Sequence, residues 1–179
     1  MADFERSVDY AKKEFNIEFR LREKQQETLQ HLFEGRDVIS VLPTGYGKSV
    51  IYQLLPWMFQ KKHDQETPMI VLVVSPLTAL MEDQVMELRQ RGVSTCFLNI
   101  HGTSGKYTQA MSDPDEEDEP VYCCKGVTLS HVADGDFNIL YLHPEALRNS
   151  DLQRIIRSHL YANRVCCVVV DEAHMISEW

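Results

Sequence analysis

A glycine-rich segment that ends in lysine and serine is the first part of this sequence that could do chemistry. It comprises residues 42–49, Leu-Pro-Thr-Gly-Tyr-Gly-Lys-Ser, and lies between an apolar run at 38–41 and a helical pattern at 50–59. Gly45 and Gly47 allow positive φ, so the backbone can curl around an anion. The N–H groups of such a curl, and of the helix that follows it, point at the anion. The layout of strand, turn and helix therefore predicts a phosphate-binding loop.

Two side chains of this segment have separate roles in that hypothesis. Lys48 would carry a positive charge to the β- and γ-phosphates of a nucleotide, and the Ser49 hydroxyl would bind Mg²⁺. The strict form of the motif has glycine at position 42, where this sequence has Leu42. An ordinary turn that contains Gly-Lys-Ser by chance is therefore the alternative.

A second motif lies near the C-terminus and disfavours that alternative. The unbroken apolar run 165–170 predicts a strand buried on both faces, as in a parallel sheet, and Asp171 and Glu172 follow it directly. Ligands of open α/β sheets bind at the carboxyl ends of strands. We assign Asp171 to the magnesium ion, through water, and Glu172 to the attacking water. The alternative is an acidic pair that caps a surface helix.

Length and composition set the limits of the interpretation. A chain of 179 residues with 44% apolar residues is long enough for one domain with a sizeable core. It contains no apolar run of membrane-spanning length and no secretory segment at the N-terminus. None of the five cysteines forms a Cys-x-x-Cys pair, so neither zinc nor disulfides are indicated. A reducing, intracellular location is expected.

The net charge of −9 is concentrated in one segment. Residues 113–119 carry six of the 27 acidic residues, and without them the balance is 21 acidic against 18 basic residues. We expect residues 112–120 to form a solvated, mobile loop. Charge therefore neither supports nor excludes DNA as a partner, but any DNA contact must be local.

Apolar segments of strand and helix type alternate along the chain. Strands are predicted at 38–41, 69–74, 93–98, 137–142 and 165–170. Helices are predicted at 3–15, 22–33, 50–61, 75–90, 127–133 and 151–159, with a helical turn at 144–147. This alternation predicts an α/β fold with a mostly parallel sheet flanked by helices and right-handed crossovers.

These motifs in this order resemble the first RecA-like domain of superfamily 2 helicases, and more narrowly the RecQ family of DNA helicases. The resemblance covers 21–179, after an N-terminal helical segment at 1–20. The segments that carry it are 43–49 with Tyr52 and Gln53 (motif I), 75–85 (motif Ia), 142–147 (His-Pro-Glu), and 171–179 with its Asp-Glu-Ala-His start (motif II). Tyr46, 81–85 and 96–98 are similar to the Werner-type branch of the family.

The resemblance implies an adenine-binding motif upstream of the phosphate loop. Arg22 and Gln25 have the family's spacing. A glutamine amide can donate to and accept from adenine, and a guanidinium can stack on the ring. Two departures, Leu21 in place of an aromatic residue and Asn16 near a usual glycine, put the packing around adenine in question. The alternative is that Gln25 is an ordinary residue on a helix surface.

The resemblance also implies a surface that contacts the DNA backbone. Ser75, Thr78 and His143 would make such contacts, which carry no sequence information. Trp179 would begin a loop that senses single-stranded DNA, and His174 would couple the nucleotide and DNA sites. The alternatives are a plain helix N-cap for Ser75 and an ordinary aromatic residue for Trp179.

The implied function is that of an ATP-dependent, 3′-to-5′ DNA helicase that uses ATP and Mg²⁺, in the nucleus if the organism is eukaryotic. Members of the family use a second RecA-like lobe that supplies an arginine to the transition state. Because the chain ends five residues after His174, we expect a truncated first lobe that binds nucleotide weakly and hydrolyses it slowly. The alternatives are a small NTPase or kinase, and a non-catalytic binding module.

Overall fold

The computed structural model describes residues 2–98 and 127–178, so the predicted acidic loop at 112–120 and Trp179 lie outside the described residues. The helices are α1 (Ala2–Glu14), α2 (Glu23–Phe33), α3 (Lys48–His63), α4 (Thr78–Gln90), α5 (Leu129–Ala133), α6 (Ser150–Ile156) and α7 (His159–Arg164). The strands are β1 (Ile70–Val74), β2 (Thr95–Leu98), β3 (Ile139–Leu142) and β4 (Val165–Val170). Two 3₁₀ helices span Pro144–Arg148 and Ala173–Glu178.

The four strands form one parallel sheet in the order β2-β3-β1-β4. Val74, the last residue of β1, lies opposite Leu142 of β3 and Val170 of β4. The three strands therefore end at the same level, and the residues that follow them are neighbours along one edge. The predicted parallel α/β sheet with flanking helices, as in RecA-like domains, is confirmed.

Alternate residues of the strands face two separate layers of the core. The first layer packs β1 and β3 against α1, α2 and α3, and includes Val71, Val73, Ile139, Tyr141, Leu29, Leu54 and Met58. The second layer packs the opposite faces against α5, α6 and α7, and includes Ile70, Leu72, Leu140, Leu142, Val132, Leu152 and Tyr161. The N-terminal helix α1 belongs to the first layer, where the rings of Phe15 and Trp57 lie 5.6 Å apart.

The strand predicted at 38–41 is wrong. These residues are irregular, Ile39 is 94% exposed and Val41 is 90% exposed. A strand exists only where a neighbouring chain completes its hydrogen-bond ladder, and within the described residues no strand pairs with this segment. A groove of about 700 Å³ instead separates residues 36–40 from β4.

β4 is only partly buried, whereas the sequence predicted burial on both faces. Val168 and Val170 are exposed apolar residues, while Cys167 and Val169 pack against the first core layer. The physical reason is position, because β4 is the edge strand of the described sheet and α5, α6 and α7 cover the other strands on that face.

The single helix predicted at 151–159 is instead two helices. α6 ends at Ile156, and α7 begins at His159 with Ser158 as its N-cap.

Candidate functional site

The glycine-rich segment forms a tight loop directly before α3. Gly45 has φ of +75° and Gly47 has φ of +86°, so both lie in the left-handed region that the motif predicted. Tyr46 N–H donates to the Pro43 carbonyl across 3.1 Å, which closes a turn, and Gly47 is the N-cap of α3. The first turn of this 16-residue helix has no acidic residue. Its unpaired N–H groups and positive dipole end therefore face an unblocked site for an anion.

Lys48 extends back across this loop. Its Nζ donates to the Leu42 carbonyl over 3.5 Å, a long contact with a neutral acceptor. A phosphate oxygen at the same place would form a stronger, charge-assisted hydrogen bond. Thr44 lies exposed in the turn beside it.

Gln25, on α2, stabilises the loop by hydrogen bonds to its backbone. Its side chain is only 2% exposed, and its Nε2 donates to the carbonyls of Tyr46 and Gly47 at 3.0 and 2.9 Å. Its Oε1 accepts from the Arg22 backbone N–H at 2.8 Å. The alternative of an ordinary helix-surface residue is therefore wrong for Gln25. The predicted contact with adenine stays a prediction.

The Arg22 side chain covers the outer side of the loop. Its guanidinium lies 4.8 Å from the centroid of the Tyr46 ring, a cation–π distance, and Nη1 donates to the Gly45 carbonyl over 3.4 Å. Leu21 is buried in the first core layer. Asn16 has φ of +52°, a conformation that glycine adopts freely and that asparagine tolerates well, so the structure accommodates that departure from the family pattern.

The carboxyl edge of the sheet brings three sequence motifs side by side. The backbone N–H groups of Ser75, His143 and Asp171 donate to the carbonyls of Leu142, Leu98 and Val74, at 2.9–3.0 Å. The segments that follow β1, β3 and β4 therefore begin along one line, as expected for parallel strands.

Tyr52 connects the two halves of the predicted nucleotide site. Its hydroxyl donates to Asp171 Oδ2 over 3.4 Å, and the residue lies one helical turn after Ser49 on α3. Burial, followed by the charges of Tyr141 and Asp171, raises the pKa of Tyr52 well above its usual value, so the hydroxyl remains a donor at neutral pH. The sequence interpretation gave Tyr52 no role of its own, although its position three residues after Ser49 places both on one helix face.

This arrangement fits Mg²⁺. The hydroxyl of Ser49 and the carboxylate of Asp171 are hard oxygen ligands, and magnesium prefers such oxygens together with water and phosphate. Asp171 accepts a hydrogen bond from Tyr52, one helical turn after Ser49. Lys48, Tyr52 and Asp171 also line the groove beside β4. The structure therefore brings together the predicted phosphate, metal and carboxylate residues.

Glu172 adopts a conformation that is rare for its residue type. Its φ is +52°, and such strain is concentrated at functional sites. Its backbone N–H donates to Asp171 Oδ1 at 3.0 Å, and its Oε2 lies 3.2 Å from Nδ1 of His174. His174 itself is largely exposed. The turn thus directs the carboxylate of Glu172 toward His174.

The residues predicted to contact DNA differ in accessibility. Ser75 is 2% exposed, and within the described residues its hydroxyl has no hydrogen-bond partner. α4 begins at Thr78 with Leu77 as its N-cap, so the alternative of Ser75 as the N-cap is wrong. His143 Nε2 lies 3.2 Å from the Pro76 carbonyl, which ties the two predicted DNA-contacting segments together.

Comparison with known proteins agrees with this geometry. The sequence profile described as "DEAD/DEAH box helicase" matches residues 22–179, and the chain belongs to this family. Similar proteins include the "Probable ATP-dependent DNA helicase RecS" of Bacillus subtilis, 34% identical over 87% of this chain and 25% of its own length. Others are the "ATP-dependent DNA helicase RecQ" of Haemophilus influenzae (31% identical, 88% of this chain, 21% of its own length) and the "ATP-dependent helicase SGS1" of Saccharomyces cerevisiae (30%, 88% and 10%).

The predicted resemblance to RecQ-family helicases is therefore confirmed. The chain spans a quarter or less of the length of these curated relatives. In the part of the chain that the structure describes, none of the helices has the length and apolar character needed to cross a membrane.

Proposed function

We propose that this chain is the ATP-binding portion of a RecQ-type, ATP-dependent DNA helicase. The observation that carries the proposal is the hydrogen bond to Asp171 Oδ2 from the hydroxyl of Tyr52, which lies one helical turn after Ser49 on α3. It joins the start of α3, where an anion is favoured, to the carboxylates after β4. A phosphate-binding loop and an acidic pair so connected form the two halves of a nucleotide hydrolysis site.

Each residue of this site has a specific task in the proposed reaction. The N–H groups of the loop and Lys48 bind the phosphates, and Ser49 and Asp171 hold Mg²⁺. When bound, the metal neutralises charge on the phosphate oxygens. Glu172 orients the attacking water and accepts its proton, while its contact with His174 keeps the carboxylate near the carboxyl edge of the sheet.

The base would be bound by the residues around the loop. Arg22 would stack on adenine after leaving the ring of Tyr46, and Gln25 would exchange one loop contact for the adenine edge. The geometry supports these roles because both side chains already touch the phosphate loop.

The DNA side of the proposal rests on the same edge of the sheet. Thr78 and His143, with the backbone at Ser75, would contact phosphates of the DNA, and His174 would connect this surface to Glu172. Trp179 would begin the segment that senses single-stranded DNA. Unwinding in the 3′-to-5′ direction, in DNA repair or recombination, would require a second RecA-like lobe. We place the protein inside the cell, and in the nucleus if the organism is eukaryotic.

Binding of a fluorescent, non-hydrolysable ATP analogue with Mg²⁺ tests the proposal. Lys48→Ala should weaken binding about 10- to 100-fold, because it removes a charge-assisted hydrogen bond. The matched control is Lys13→Ala, at an exposed position of α1, which should bind as the parent does. Equal affinity of the parent and Lys48→Ala chains would contradict the site assignment.

A hydrolysis assay with and without single-stranded DNA distinguishes the remaining alternatives. We expect nucleotide binding with slow turnover by this chain alone. Transfer of phosphate to a small metabolite would instead identify a kinase. Tight DNA binding with no nucleotide binding would identify a non-catalytic module.

A further inference from the structure

One polar network of the described structure has no role in the function proposed above. It is centred on Gln84, in the middle of α4. Gln84 Nε2 donates to Ser49 Oγ at 3.1 Å, and Gln84 Oε1 accepts from Gln53 Nε2 at 2.9 Å and from the Tyr141 hydroxyl at 3.2 Å. Three elements, α3, α4 and β3, therefore meet at one side-chain amide.

The partners of Gln84 determine which way its amide faces. Gln53 and Tyr141 are both buried, and both donate to its oxygen. Rotating the amide by half a turn would place its N–H groups against these donors, so that the Gln53 amide and the Tyr141 hydroxyl would both have to turn as well. Burial also raises the pKa of Tyr141 to about 12, so its hydroxyl keeps its proton at neutral pH. The nitrogen of Gln84 is thus directed at Ser49.

The consequence for Ser49 follows from the chemistry of a hydroxyl group. A serine oxygen has two lone pairs and one proton. The N–H of Gln84 occupies one lone pair, which leaves the second for a metal ion. Because α4 packs into the core through Met81, Val85 and Leu88, the donor has a fixed position relative to α3.

We propose that Gln84 is a positioning residue that orients the Ser49 hydroxyl for Mg²⁺ bound with the nucleotide. This inference rests on the proposed nucleotide site. It predicts that Gln84 contributes to binding only when the metal is present, since Lys48 and the loop N–H groups bind phosphate without it. A residue that only stabilised the fold would affect binding equally with and without metal.

The test uses Gln84→Met, which keeps the length of the side chain and removes both hydrogen-bonding groups. The matched control is Gln90→Met, at an exposed position of the same helix. Affinity for a fluorescent, non-hydrolysable ATP analogue is measured in excess Mg²⁺ and in EDTA. Gln84→Met should weaken binding about 3- to 10-fold in Mg²⁺, the effect of one hydrogen bond, and leave it unchanged in EDTA. Equal weakening in both conditions, or none, would overturn the inference.

A double-mutant cycle with Ser49→Ala shows whether the effect passes through the serine. In the Ser49→Ala background, Gln84→Met should cause no further loss of Mg²⁺-dependent affinity. An undiminished loss would refute positioning through Ser49. The parent and Lys48→Ala chains are measured alongside. If Lys48→Ala weakens binding but Gln84→Met does not, this inference alone is contradicted. If Lys48→Ala has no effect on binding, the proposed function is contradicted as well.

Discussion

Replacing Gly47 with alanine should destabilise this chain by two effects that can be measured separately. Gly47 has φ of +86°, which costs an alanine about 1–2 kcal/mol. A Cβ atom at this position would also lie 2.8 Å from Gln25 Nε2, too close for a real contact. The Gln25 amide would have to move away from the loop.

The size of the second effect follows from what Gln25 would lose. Its Nε2 donates to two carbonyls of the loop, and each such hydrogen bond contributes about 0.5–1.5 kcal/mol. Adding about 1–3 kcal/mol to the backbone term gives a total loss of about 2–5 kcal/mol for Gly47→Ala. Gly45→Ala is the matched control, because Gly45 has φ of +75° but no atom within 4 Å of an added Cβ. It should lose only the backbone term.

Urea denaturation followed by far-ultraviolet circular dichroism measures these free energies of unfolding. Gly47→Ala is compared in the parent chain and in a Gln25→Ala chain, where the side chain that clashes is absent. Its cost should fall in the second background to about that of Gly45→Ala, about 1–2 kcal/mol. If Gly47→Ala lowers the free energy of unfolding equally in both backgrounds, a clash with the Gln25 side chain is not a reason for its cost.

Three further predictions concern catalysis, pH and helix capping. Glu172→Gln should bind the ATP analogue normally and lose residual hydrolysis; phosphate release at the parental rate would remove Glu172 from its role. Burial raises the pKa of Cys166 far above 9.0 and that of Cys167 to about 11. As the pH rises, both thiols therefore lose their protons in the unfolded chain at a lower pH than in the folded chain. The free energy of unfolding should be constant at neutral pH and fall above about pH 9, by up to about 1.4 kcal/mol per pH unit for each thiol. Urea titrations should show a smaller slope in Cys166→Ala, and an unchanged slope would contradict that assignment. Asn149→Ala removes an acceptor for two N–H groups of α6 and should cost about 0.5–2 kcal/mol in thermal or urea unfolding, whereas Asn149→Asp should retain most of the stability; equal losses would argue against capping.

Features that depend on a few consecutive residues could be predicted from the sequence. The glycines at 45 and 47 indicated a loop with positive φ before a helix, and both have that conformation. Four of the five apolar runs are strands, and the polar residues after them lie at one edge, because parallel strands end together. Such features can be predicted because the spacing of apolar residues within each helix or strand is a property of that segment alone.

Other features depend on which segments become neighbours, and these were decided by the tertiary structure. Residues 38–41 look like a strand in sequence, but no described strand supplies a partner for their hydrogen bonds. The sequence assigned Gln25 to adenine, with a helix-surface residue as the alternative, and only the packing of α2 against the phosphate loop shows that its amide bonds the loop carbonyls. The contact between Gln84 and Ser49 joins two helices that are 35 positions apart at these residues. The spacing of apolar residues tells which face of an element is buried, but a hydrogen bond needs two specific atoms in place, and only packing brings them together.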